Sequence, residues 1–261
     1  MTEVDRGMAK VAMITGASSG IGASLAGALA AHGYDLSLCA RREDKLEETA
    51  RQCERLGAKT HWQAVDVTNA ASRENFVSSA VKRFGKIDAL VNNAGLALGL
   101  DPLLQTDVKD AATVFETNVL AVMELTRLVL PGMIHRGSGH LVFMGSIAGR
   151  QAYEGGSVYC ASKFALRAMV DSLRQEMAEH PIRITLIAPG MVETEFSVVR
   201  FKGDKDRADS VYKGITPLTG EDIAESVFWS MSQPPHVNIS EMTICPVHQA
   251  DARKIFKNQA G

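Results

Sequence analysis

The 261-residue chain is poor in the features that mark specialised classes. It has four cysteines, Cys39, Cys53, Cys160 and Cys245, set far apart with no C-x-x-C pair. That argues against a disulfide framework and a thiolate metal site, and it suits a reduced, cytoplasmic protein. The seven histidines are scattered and show no metal-ligand spacing, so no metal is expected. The formal net charge is only −2, which gives no general attraction to nucleic acid or to an anionic membrane. No uninterrupted apolar stretch approaches the ~20 residues that span a bilayer. The opening "MTEVDRGMAK" carries no apolar signal core. Linkers, internal repeats and low-complexity tracts are also missing. With 46% apolar and 22% charged residues, the composition is that of a globular protein able to bury a substantial core.

What is present is an alternation. Short apolar runs begin at Lys10, Asp35, His61, Ala89, His140, Arg183 and Met242, and they read as strands covered on both faces. Helical patterns lie between them, over 21–32, 43–56, 70–84, 107–136 with a bend or break near Pro131, and 157–180. A shorter helix follows the cap "TGED" at Thr219. Either Thr68 or Asn69 caps the third helix. The pattern predicts an α/β fold: a single-domain, Rossmann-type doubly wound sheet of seven mostly parallel strands flanked by helices on both faces, over 1–261. One segment breaks the rhythm. Residues 191–219 are polar and irregular and follow the sixth strand, where a substrate lid sits in such folds.

"TGASSGIG", Thr15 to Gly22, stands between the first strand and the first helix. Gly16 permits a tight turn, Gly20 a close approach of backbone to a pyrophosphate, and Gly22 close packing of the helix. The free N–H groups of the helix N-terminus face the anion. A tight turn without a ligand is the alternative. In the second strand the place of a ribose-binding acid holds Ala40, followed by Arg41 and Arg42. Guanidinium groups there favour a 2′-phosphate, hence NADP(H), unless they only solvate the start of a charged helix.

"YCASK" puts Tyr159 and Lys163 at i and i+4, on one helix face. A nearby cation lowers the pKa of a phenol, which makes it a usable acid–base group. Ser146, "NNAG" (92–95) and Asn118 converge on the same edge of the sheet. In this company the chain resembles the short-chain dehydrogenase/reductase family over nearly its whole length. The matches are TGASSGIG, Asp66-Val67, NNAG, Asn118, Ser146, Tyr159, Lys163, Pro189-Gly190 and Thr194.

The resemblance implies roles. Tyr159 is the general acid–base, Lys163 tunes it and holds the nicotinamide ribose, Ser146 orients the carbonyl, and Asn118 anchors a relay water. Asp66 binds the adenine amino group, and Thr194 with the backbone near Val192 holds the carboxamide. The implied NADP(H) site comprises Gly16, Ser18, Ser19, Gly20, Ile21, Gly22, Arg41, Arg42, Asp66, Val67, Asn92, Ala94, Gly95, Tyr159, Lys163, Pro189, Gly190, Val192 and Thr194.

"NNAGLALG", "TEFSVVRFKGD" and "HVNISEMTICPVHQ" are similar to a subgroup of NADP-dependent 3-hydroxy acid dehydrogenases, serine 3-dehydrogenases and malonic semialdehyde reductases. Sulfoacetaldehyde reductases are similar too. Ser146, Tyr153, Tyr159 and Arg200 form the expected substrate site, with Arg200 clamping a small carboxylate or sulfonate. Alternatively Arg200 pairs with Glu193 or Glu195, and Tyr153 only packs. A reductase of neutral ketones or 3-ketoacyl groups, and a non-catalytic dinucleotide-binding protein, are the competing readings. The resemblance also implies a homotetramer, or a homodimer. The tail from about 249 to 261 is either a frayed end or an arm that brings positive charge toward a substrate.

Overall fold

A computed structural model describes residues 9–257. The strands are β1 (Val11–Thr15), β2 (Asp35–Ala40), β3 (Thr60–Ala64), β4 (Ala89–Asn92), β5 (Gly139–Met144), β6 (Ile182–Pro189) and β7 (Glu241–Ile244). They form one sheet in the order β3-β2-β1-β4-β5-β6-β7, and every pairing is parallel. The order reverses between β1 and β4, and ligands of open α/β sheets bind at such a switch point.

The helices are α1 (Gly20–Ala31), α2 (Glu43–Arg55), α3 (Ala70–Phe84), α4 (Val108–Phe115), α5 (Ala121–Arg136), α6 (Ser157–Glu176), α7 (Phe196–Arg200), α8 (Lys205–Ser210) and α9 (Gly220–Ser232). Side chains alternate across the strands and feed two cores. Ala12, Ile14, Leu36, Leu38, Val91 and Val142 pack with Leu25, Leu29, Leu46, Ile223 and Val227 of α1, α2 and α9. Met13, Leu90, Leu141 and Phe143 pack with Phe76, Leu125, Val129, Leu166 and Val170 of α3, α5 and α6. The five inner strands β2, β1, β4, β5 and β6 are therefore buried on both faces, as their apolar runs required, while the edge strands β3 and β7 are only half-buried.

The third helix is capped by Asn69, whose side chain accepts from Ser72 N, and it stops at Gly85 with φ +77°. Thr219 and Asp222 complete a capping box at the start of α9. The long helix departs from expectation. It does not break at Pro131, which lies inside α5; the irregularity is a π-helical turn, Glu116–Leu120, between α4 and α5. By length and composition the combined 108–136 helix could cross a membrane. Its Val122, Leu125, Val129 and Met133 are instead buried against the sheet, as in the core helix of a globular fold. The irregular 191–219 stretch contains the short helices α7 and α8. Of the C-terminal segment, residues 258–261 lie outside the described residues; before them, the chain from Gln249 turns back and bridges Gln249 to Ile255.

Candidate active site

The glycine-rich turn is built on β1 and tied to β4. Thr15 Oγ1 accepts from Asn93 N at 3.1 Å and Ala94 N at 2.9 Å. Asn93 Nδ2 donates to Thr15 O at 2.8 Å and to Gly16 O at 3.2 Å. Gly16 and Gly20 take φ +68° and +52°, in the left-handed region that glycine tolerates. A Cβ on Gly22 would lie 2.3 Å from Gly16 O, so α1 starts against the turn only because residue 22 has no side chain. Gly20 faces Thr194, whose Cβ would lie 3.1 Å from an added Cβ.

The turn opens into a cleft of about 710 Å³ along the C-terminal edges of the strands. Gly16, Ser18, Ser19, Gly20, Ile21, Gly22, Arg41, Arg42, Asp66, Val67, Ala94 and Gly95 line it on one side of the switch point. Ser146, Tyr153, Tyr159, Lys163, Pro189, Gly190, Val192, Thr194 and Arg200 line the other. Two expected residues are placed differently. Asn92 is buried and its Nδ2 donates to Thr126 Oγ1 at 3.2 Å; the neighbouring Asn93 reaches the cleft instead. A strand's side chains alternate between faces, so only one of two adjacent asparagines can do so. Asn118 lies in the π-helical turn behind the cleft wall. It accepts from Leu96 N at 2.9 Å and donates to Leu96 O at 2.8 Å and Ser162 Oγ at 3.1 Å. Its side chain thus spans β4's exit loop and α6. A π-turn that aims one side chain at a loop is a recurrent device near functional sites.

Tyr159 and Lys163 share one face of α6, with Lys163 Nζ 5.8 Å from the phenol ring centroid. Lys163 is buried and donates to Met144 O at 2.8 Å; burial draws its pKa down to about 8. Burial drives the Tyr159 phenol well above its ordinary value. A hydrogen bond with Ser146 pulls it back first, and the Arg200 charge also lowers it. The Lys163 ammonium hydrogen-bonds the Met144 carbonyl and not the phenol. Ser146 Oγ also accepts from Ala148 N at 3.1 Å, which fixes it as the cap of a short 3₁₀ turn. Phe196 meets the Tyr159 ring edge-on at 5.6 Å.

Arg200 ends α7 and reaches over both tyrosines, 5.6 Å from the Tyr153 ring and 5.9 Å from the Tyr159 ring. Nε donates to Gly99 O at 2.9 Å and Nη1 to Tyr153 OH at 3.1 Å. Nη2 is buried and has no hydrogen-bond partner among the described residues. Arg200 makes no ion pair among the described residues, so the alternative pairing with Glu193 or Glu195 is not formed. A smaller cavity of about 220 Å³ adjoins the cleft, with Tyr159 and Arg200 in the shared wall.

Several contacts here had no signal in the sequence. Glu195 ion-pairs with Arg42 at 2.7 Å and Lys45 at 2.6 Å across the cleft mouth. Gln249 accepts from Met191 N at 2.8 Å, so the C-terminal segment closes on its own chain, with Ile255 and Lys257 lining the cleft.

A dinucleotide fits these residues. The glycines let the turn fold tightly against Ala94 and itself, the α1 N-terminus opens onto the cleft, and Ser18, Ser19, Arg41 and Arg42 stand at its β2 end. Comparison with known proteins agrees. A family model described as short chain dehydrogenase matches residues 10–205. An NADP-dependent 3-hydroxy acid dehydrogenase of Schizosaccharomyces pombe is 44% identical over 253 residues, which cover 96% of this chain and 98% of that one. A serine 3-dehydrogenase of Agrobacterium fabrum is 38% identical, over 94% of this chain and 97% of that one. Among solved structures, the closed form of a serine dehydrogenase complexed with NADP+ superposes with TM-score 0.89 at 38% identity. It covers 95% of this chain and 100% of that one.

Proposed function

The chain belongs to the short-chain dehydrogenase family, and from that premise we propose that it is an NADP(H)-dependent 3-hydroxy acid dehydrogenase, reversible toward the 3-oxo acid. The observation that carries the substrate class is the buried, unpartnered Nη2 of Arg200 above the Tyr159 ring. A buried N–H of a cation without an acceptor is costly, and a small anion beside Tyr159 satisfies it. A carboxylate two bonds from the reacting carbon places the carbonyl beneath the phenol. A sulfonate, as in sulfoacetaldehyde, offers the same charge to the same nitrogen.

The chain's residues divide the work. Ser18, Ser19, Arg41 and Arg42 bind the adenosine 2′-phosphate, and Gly16 to Gly22 take the pyrophosphate. Asp66 and Val67 receive the adenine. Asn93, Ala94, Gly95 and Lys163 bound the nicotinamide side of the cleft, with Pro189, Gly190, Val192 and Thr194 opposite. The bound reduced nicotinamide supplies the hydride for the carbonyl carbon. Ser146 donates to the carbonyl oxygen, and Tyr159 gives it the proton. Raised by burial, the phenol is fully protonated near neutral pH, which suits an acid in the reductive direction. Asn118 fixes the Leu96 loop against α6 and so holds Lys163 in place. The 191–219 segment closes as a lid that excludes water once Arg200 is engaged.

The reading extends to a single domain acting in the cytoplasm, and to a homo-oligomer. Exposed Phe115, Leu120, Met123 and Phe164 on the α4–α6 face, and Trp229 and Val247 near β7, give two apolar patches that subunit contacts would cover. The test of function is a substrate panel: L-serine and 3-hydroxypropionate with NADP+, and malonic semialdehyde, sulfoacetaldehyde and a neutral ketone with NADPH. Expected is a kcat/KM for the acids at least about 100-fold above that for the neutral ketone. A preference for the neutral ketone overturns the assignment.

A further inference from the structure

Glu195 stands at the root of the lid, directly after Thr194, and faces the start of α2 across the cleft mouth. Its Oε2 lies 2.7 Å from Arg42 Nη1 and its Oε1 2.6 Å from Lys45 Nζ. Arg42 is shared between two neighbours, since its Nη2 donates to Ser19 Oγ at 2.7 Å and approaches Ser18 Oγ at 3.4 Å. The contact with Lys45 first, then those with Arg42 and Ser19, hold the Glu195 carboxyl down at about 2, so it is an anion at any working pH. A carboxylate of the lid is thus seated inside the cluster of hydroxyls and guanidinium at the end of β2. A phosphate on the adenosine ribose needs the same donors.

We propose that Glu195 is a cofactor-specificity residue whose carboxylate competes with the adenosine 2′-phosphate for Arg42. The proposal rests on the reading that Arg42 receives that phosphate. A dinucleotide without the phosphate leaves the Glu195–Arg42 pair undisturbed. One that carries it draws Arg42 away, and Lys45 alone keeps the carboxylate. The lid root therefore senses which dinucleotide is bound, and the enzyme's preference for NADP(H) is smaller than its arginines alone would give. Both partners are about two-fifths exposed, so solvent and salt screen the competition and keep it modest.

Titration of the whole protein with NADPH and with NADH tests this, using the wild type, Glu195→Gln and Arg42→Ala. Glutamine keeps the shape of the side chain but not its charge, and it leaves one acceptor where the carboxylate has two. Expected for Glu195→Gln is an NADPH Kd lower by about 2- to 5-fold, with the NADH Kd changed by less than about 1.5-fold. Weaker NADPH binding, or equal shifts for both dinucleotides, overturns the proposal, because a purely structural latch acts on both alike. Arg42→Ala separates the layers. If it weakens NADPH while Glu195→Gln changes nothing, the competition is refuted and the phosphate reading stands. If it leaves NADPH binding intact, premise and proposal fall together.

Discussion

Truncating Arg200 to alanine should separate acidic from neutral substrates. The guanidinium offers the buried Nη2 and, by release from Tyr153, Nη1 to an incoming carboxylate. A hydrogen bond to a charged group contributes about 1.5–3 kcal/mol, so losing a forked pair costs about 3–4 kcal/mol. At about 1.4 kcal/mol per decade, kcat/KM for an anionic substrate falls by roughly 100- to 1000-fold. A neutral aldehyde makes neither contact and should lose less than about 5-fold. Arg200 also lowers the Tyr159 pKa, so its removal raises that pKa further. In the reductive direction near pH 7 the phenol stays protonated either way, and the neutral aldehyde remains a fair control. Arg200→Lys, which keeps the charge and loses the fork, should fall between, at about 10- to 30-fold. The assay is NADPH oxidation followed by absorbance over a range of each substrate. Equal losses for both substrates would refute the anion clamp and leave Arg200 as a strut between Gly99 and Tyr153.

Other expectations follow from the same contacts. Gly22→Ala drives a Cβ to 2.3 Å from Gly16 O; it should cost about 1–3 kcal/mol in thermal or urea unfolding and weaken NADPH binding at least 10-fold. Lys163 is protonated in both folded and unfolded chains below its folded value of about 8, where its burial cost is felt in full, and neutral in both above 10.5. Its contribution to stability therefore rises between those pH values, by at most about 3 kcal/mol, and Lys163→Met should abolish the rise. His140 is buried beside Thr185, and burial first, then Arg183 and Lys10, hold its pKa at about 3. The unfolded chain gains that proton already near 6.5, so stability falls as pH drops from 6.5 toward 3. His140→Gln should flatten this fall, which amounts to at most about 4–5 kcal/mol; an unchanged acid-unfolding curve contradicts it.

The inner sheet was legible because β1, β2, β4, β5 and β6 are buried on both faces, and two-faced burial leaves a short continuous apolar run; the half-buried edge strands β3 and β7 show it less cleanly. Thr219 was legible, and Asn69 as one of two candidates with Thr68, because capping is local chemistry. A break at Pro131 is not formed, and the π-helical turn had no signal, for want of long-range information. The proline stays within α5, while the distortion sits at Asn118, whose partner Leu96 is 22 residues away. The same limit hid Glu195: nothing in "VETEF" shows a lysine and an arginine waiting across a cleft, 150 residues back at Lys45. Adjacent Asn92 and Asn93 differ only in which face of β4 they leave by, and register decides that. The tuning of Tyr159 was inferred from an i, i+4 spacing. The spacing put the two side chains on one face, but the carbonyl that orients the ammonium, Met144 O, belongs to β5 and lies 19 residues back in sequence.

Everything chemical in this account turns on the phenol of Tyr159, and a single comparison reaches it. NADPH-driven reduction of a 3-oxo acid is measured for the wild type and Tyr159→Phe, with the NADPH Kd of each determined alongside. Loss of the proton donor should lower kcat by about 10²- to 10⁴-fold while the Kd stays within about 3-fold. A phenylalanine variant that turns over within tenfold of the wild type would show that the proton comes from elsewhere.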